Sequence, residues 1–130
     1  IVVCNTYAKA SESAIALMIA MSLVKMPDGT AVIIADAPEG QVFHYVMGSW
    51  GSSYGGRHFS EKHKGFIPSL MKKLIVMTPY PDKICMDMAC HIDDITLVKT
   101  WPEVVALLEK AYPQPLKAAV VQDATMQYIL

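Results

Sequence analysis

Short apolar runs rich in β-branched residues alternate with longer stretches of helical character along this chain, and Gly, Pro and Asp punctuate the joins. Ile1 to Asn5 is a β-rich run that opens into a helix expected from about Ala8 to Met26, closed by Pro27-Asp28-Gly29. Ala31 to Ala35 is apolar throughout and is followed by Asp36 and Pro38, the pattern of a parallel strand buried on both faces. Leu74 to Thr78 repeats it, with Pro79 and Pro81 ending the strand before a short helix expected around Asp82 to Ala89. Ile95 to Val98 is a fourth strand candidate. Thr100-Trp101-Pro102-Glu103 has the form of a capping box and starts a helix running to about Ala111. Lys117 to Val121 gives a last strand, and Thr125 to Leu130 is expected to extend or recross the sheet edge.

Strands alternating with helices predict an α/β domain of three layers, Rossmann-like, with a mostly parallel twisted sheet and right-handed crossovers. The length of 130 residues suits one such domain spanning residues 1–130. Ile1-Val2-Val3 opens the chain without an initiator methionine or a basic leader, which predicts an excised piece of a longer protein.

Composition adds a partner surface to this picture. Hydrophobic residues make up 53% and charged residues 18%, with a mean hydropathy of +0.31, apolar for a domain of this size. A formal net charge of -1 gives no electrostatic reason to expect nucleic acid, and Lys62, His63, Lys64, Lys72 and Lys73 read as a solvated face. The longest apolar run, Ala14 to Val24, falls short of the roughly 20 residues of a membrane span, so no membrane partner is expected. Cys4, Cys85 and Cys90 are odd in number and lack zinc-type spacing, which points to a reducing cytoplasm and to no bound metal.

Candidate chemistry falls at the carboxyl ends of the expected strands, where open α/β sheets collect ligands. Asn5, Thr6, Tyr7 and Lys9 follow the first strand, Asp36 to Gln41 the second, Thr78 to Asp82 the third, and Gln122 and Asp123 the last. Between Pro38 and Arg57, glycines at 40, 48, 51, 55 and 56 sit among Gln41, His44, Tyr45, Trp50, Arg57 and His58. Glycines edged by Arg and His suit an anionic small molecule, although the spacing matches no phosphate-binding fingerprint. A surface loop with ordinary turn glycines fits the segment equally. A short helix from Gly40 to Met47 would carry His44 and Tyr45. No Ser or Cys has a nucleophile-elbow context, so no catalytic residue is expected within the chain.

The series Asn5-Thr6-Tyr7-Ala8-Lys9, then a long apolar helix, then Asp28-Gly29-Thr30 into a strand ending Ala37-Pro38-Glu39-Gly40, resembles the carboxy-terminal domain of the nickel-dependent lactate racemase family. Gly40-Gln41 with His44-Tyr45, the Gly55-Gly56 pair, Thr100-Trp101 and Asp123-Ala124-Thr125 are similar to a branch of that family with no assigned substrate. The resemblance implies a two-domain isomerase. Its amino-terminal domain would carry the proton-shuttling histidines and the lysine anchoring a nickel-pincer nucleotide, while this domain closes over the cleft. The chemistry attributed to the family moves a hydride from the hydroxyl-bearing carbon to the cofactor and back. By that resemblance and by their chemistry, Tyr7, Lys9, Gln41, His44, Tyr45, Arg57 and His58 are the expected contacts to substrate or cofactor, with Lys9 complementing a carboxylate or phosphate. The partners implied are the amino-terminal domain, a small anionic substrate such as a 2-hydroxy acid, and a second copy of the chain.

One departure bears on the substrate. Ile15 and Met18 stand where the family carries a Gln and a Lys facing the active site. The change speaks against lactate and leaves open another 2-hydroxy acid or the loss of racemase chemistry. A reading of another class stands beside it, a Rossmann-like binding or regulatory module for an anionic metabolite or nucleotide with no chemistry of its own. A purely oligomer-forming domain would lack a pocket at the strand ends.

Overall fold

The computed structural model describes residues 1–41, 66–81 and 91–127. Its five strands are β1 (Val2–Asn5), β2 (Thr30–Ile34), β3 (Lys73–Met77), β4 (Ile95–Val98) and β5 (Ala119–Val121). They form one sheet in the order β4-β3-β2-β1-β5, every neighbouring pair parallel. The helices are α1 (Ser13–Leu23), α2 (Phe66–Leu70) and α3 (Trp101–Ala111), with 3-10 turns at Tyr7–Glu12 and Ile92–Asp94.

Strand periodicity sorts the core into two layers. Val2, Cys4, Ala31, Ile33, Leu74 and Val76 point to one face and pack with Ala16, Leu17 and Ala20 of α1 and Ile67 of α2. Val3, Val32 and Ile75, the alternate positions, point to the other face and meet Val104 and Leu108 of α3. The α/β fold of three layers expected from the sequence is therefore the observed one. On α1 the buried positions Ser13, Ala16, Leu17 and Ala20 follow the helical repeat, and two alanines among them let the helix axis approach the sheet.

β2 and β3 each begin and end one residue earlier than expected and β5 begins at Ala119 rather than Lys117, while larger differences at the first helix and at residues 123–127 have local reasons. The first helix begins at Ser13 rather than near Ala8, because Lys9 has non-helical angles (φ -139, ψ 57) and the chain before it winds as a 3-10 turn. It ends at Leu23, ahead of the turn that carries Gly29. Residues 123–127 make a turn, not a strand: the Asp123 carboxylate accepts from the Thr125 amide (3.0 Å) and hydroxyl (2.6 Å), and the Gln127 amide donates to the Asp123 carbonyl (2.9 Å). The short helices expected at 40–47 and 82–89 fall outside the described residues, apart from Gly40 and Gln41; the Gly40 amide closes a turn to the Ala37 carbonyl with φ 84. By contrast β4 matches its expected bounds. The capping box at Thr100 also forms, Glu103 Oε2 accepting from the Lys99 and Thr100 amides at 3.0 and 2.8 Å.

Side chains lock the amino-terminal edge of the sheet. The Tyr112 hydroxyl donates to the Asp28 carbonyl (2.7 Å) and pairs with Thr30 Oγ1 (2.8 Å), joining the end of α3 to the start of β2. Lys72 Nζ donates to the Ala111 carbonyl at 2.8 Å and lies 4.3 Å from the Tyr112 ring centroid, so a cation sits where the α3 dipole is negative. No described helix is long and apolar enough to cross a membrane.

Two stability predictions follow from the packing. A Cβ at Gly29 would lie 2.6 Å from both the Lys25 carbonyl oxygen and Val24 Cγ2, and the carbonyl is fixed by its own bond from the Gly29 amide. Gly29→Ala is expected to lower stability by about 1–3 kcal/mol in urea denaturation. Cys4 is fully buried, and burial pushes its thiol pKa up to about 11. In a Cys85→Ser/Cys90→Ser variant, a thiol reagent at pH 8 should label Cys4 only as fast as the protein opens, and at once in denaturant.

Candidate functional site

The strand order reverses at β1. The chain leaves β1 toward β2 on one side and finally returns to β5 on the other, which makes β1 a topological switch point. Such a switch point leaves a crevice at the carboxyl ends of the strands. A cleft of about 320 Å³ opens there, lined by Asn5, Tyr7, Gln122, Asp123 and Gln127.

Backbone ladders that continue past the strands hold its floor. Thr6 is buried, and its amide and hydroxyl both donate to the Ile34 carbonyl (3.1 and 2.8 Å). Ala124 donates to the Asn5 carbonyl at 2.7 Å, tying the loop after β5 to the end of β1. Asp123 links the two loops directly: its Oδ2 accepts from the Ala8 amide at 3.0 Å, while its Oδ1 takes the Thr125 amide and hydroxyl. Its own amide donates to Gln127 Oε1 at 3.1 Å. The Thr125 hydroxyl first, then the surrounding amides, hold the Asp123 carboxyl below the ordinary aspartate value.

The described candidate residues divide between two places. Tyr7 forms part of the cleft wall with its side chain largely in solvent (82% exposed). Lys9, at the break in the 3-10 turn, lies 3.8 Å from Glu12 Oε1 as a half-exposed pair. Gln41 braces the entry to α1: its Oε1 accepts from the Ser13 amide (2.9 Å) and hydroxyl (2.6 Å), and its Nε2 donates to the Ala10 carbonyl (3.0 Å). It thereby supplies the helix with the cap that Glu12, at the N-cap position, does not make. His44, Tyr45, Arg57 and His58 lie outside the described residues. Of the two positions that depart from the family pattern, Met18 is exposed and Ile15 half-buried on α1.

Asn5, Gln122 and Asp123 were placed by the sequence among the candidate chemistry at the strand ends, though not among the expected contacts, and Gln127 was not named. Asp123-Ala124-Thr125 was their signal, since an Asp two residues before a Thr can close a turn through its side chain. Gln127 gave no sign of its role. A larger hollow of about 540 Å³ opens at the opposite edge of the sheet, between Ile1, Leu23, Leu116 and Tyr112 among others. It offers less directional chemistry, because aliphatic side chains make much of its wall and the Tyr112 hydroxyl is already bonded to Asp28 and Thr30.

The Asp123 bonds give the cleft a pH dependence of definite sign. A carboxyl held below its unfolded value contributes stability that is complete above that value and is lost as pH falls through the folded one. The urea midpoint of the native chain is expected to drop on acidification below about pH 4, and that of Asp123→Asn to start lower and drop less steeply. Equal slopes for the two proteins would remove Asp123 from this role. In comparison with known proteins, no family model matches the chain, and no match is found among curated proteins or among solved structures.

Proposed function

We propose that this chain is a ligand-closing α/β domain with no catalytic machinery of its own. It presents the carboxyl edge of its sheet to a small molecule shared with an amino-terminal domain, as in proteins similar to the nickel-pincer-dependent 2-hydroxyacid racemases. The observation that carries the proposal is the switch-point cleft, with Tyr7 of the Tyr7-Ala8-Lys9 motif in its wall. A domain that closes over a ligand needs polar groups on one exposed edge and a rigid body behind them. Tyr7, Gln122 and Gln127 are exposed at that edge, while the strands behind them are packed on both faces.

Within this reading Lys9 neutralises the substrate's carboxylate on domain closure, exchanging its loose pairing with Glu12 for a desolvated partner. Arg57 and His58 supply further positive charge. Among the described residues no three His, Cys, Asp or Glu side chains come together as metal ligands, so these residues do not fit a nickel centre. Nickel and its pincer nucleotide are the other domain's to hold, and no step of the proposal runs through them here. Three cysteines without paired spacing suit a reducing, cytoplasmic setting.

One observation favours a second reading, a binding or regulatory module with no chemistry anywhere in its parent protein. The titratable group in the cleft wall with a lowered pKa, Asp123, spends both oxygens on amides and a hydroxyl of its own chain, as a structural carboxylate does. The test is nickel content and racemisation of a panel of 2-hydroxy acids by the longer protein containing this domain, made in cells that synthesise the pincer cofactor. Nickel with turnover is expected. A metal-free, inactive protein from cells shown to load a known racemase would transfer the assignment to the module.

A further inference from the structure

The chemistry of the cleft wall defines a ligand more narrowly than the fold does. Asn5, Gln122 and Gln127 bring three carboxamides to it, Tyr7 a phenol, and Asp123 a carboxylate; among the described residues no cationic side chain lines it. A carboxamide both donates and accepts, and so does an alcohol, so carboxamides match hydroxyl groups in either sense. Asn5 and Gln122 make no side-chain hydrogen bond among the described residues, and Gln127 is engaged through its oxygen, leaving its amide nitrogen to donate.

The Asp123 carboxylate has about four lone-pair sites, of which the Ala8 amide takes one on Oδ2 and the Thr125 amide and hydroxyl take two on Oδ1. The Ala8 amide is the one bond shown on Oδ2 among the described residues, so a ligand O–H would approach that oxygen. An ionised carboxylate in the wall disfavours an anionic group beside it and favours a hydroxyl. The Tyr7 ring, almost wholly exposed, offers an apolar face to the C–H groups of a ring laid against it. At about 320 Å³ the cleft stands at the small end of ligand sites, the size of one ring more than of a dinucleotide.

We propose that the switch-point cleft binds an uncharged, hydroxyl-bearing ring, either a free sugar or the ribose of a nucleoside, between the Tyr7 ring and the Asp123, Asn5, Gln122 and Gln127 side chains. The proposal rests on the reading of the strand-end cleft as a ligand site and assigns to it the neutral part of the ligand.

The test is amide-resolved NMR titration of this 130-residue chain with D-ribose, adenosine and sodium L-lactate at constant ionic strength. Ribose, adenosine or both should shift the amides of residues 5–8 and 122–127. Tyr7→Ala and Gln122→Ala should each weaken that binding about fivefold without moving the thermal midpoint, since neither side chain holds the fold together. Ribose binding as tightly as adenosine identifies a sugar site; adenosine alone identifies a nucleoside site. Lactate shifting these amides while the neutral probes do not would overturn the inference and leave the closing-domain reading intact. A spectrum unmoved by both neutral probes overturns it too, whatever nickel and turnover the longer protein shows.

Discussion

Everything in this domain depends on the enclosure of β1. Val2 to Asn5 pair with β2 along one edge, and Val2 to Cys4 with β5 along the other. Their side chains alternate between the layer under α1 and the layer under α3. A strand with no free edge and no solvated face must be apolar through its length, and Val2, Val3 and Cys4 are. The first polar position, Asn5, comes where the strand runs out of cover. Chemistry therefore begins at the end of β1 because packing ends there.

The two edges of the sheet are finished differently. At the amino edge a tyrosine hydroxyl and a lysine bind backbone carbonyls and close the gap between α3 and β2. At the carboxyl edge the backbone ladder itself continues, through buried Thr6 and Thr78, while several side chains above it stay in solvent. Thr78 shows the pattern in small: its amide extends the ladder to Val98, and its hydroxyl accepts from Tyr80 at the surface. Buried threonines let a strand end turn polar without leaving an unpaired group, and none of the described buried side chains is left unpaired.

How much was legible follows from how local each cause was. The runs that became β2, β3 and β4 were readable because burial on both faces leaves a continuous apolar signature, and α3 because its capping box lies within four residues. The start of α1 was not, since it is set by the backbone of Lys9 and by Gln41, which is 28 positions from the Ser13 it caps. The same distance hides the capping role of Gln41, because a glutamine beside glycines at a strand end carries no local sign of the helix it braces. Helix α2, with Pro68 inside it, gave no helical pattern and was not anticipated. In the cleft, Tyr7 was legible from its place after β1, whereas Gln127 depended on a turn whose closure is a side-chain bond and not a residue preference.

The bond from Asp123 to the Ala8 amide spans 115 positions of sequence, and the one from the Ile1 nitrogen to the Lys117 carbonyl spans 116. Closing loops of that length is slow and contributes nothing until both ends are in place. β5 can dock against the first strand only after residues 119–121 have been made, later than any other strand described. A domain cut before residue 119 would keep most of its core and lose Gln122, Asp123 and Gln127, and with them the place for a ligand to rest.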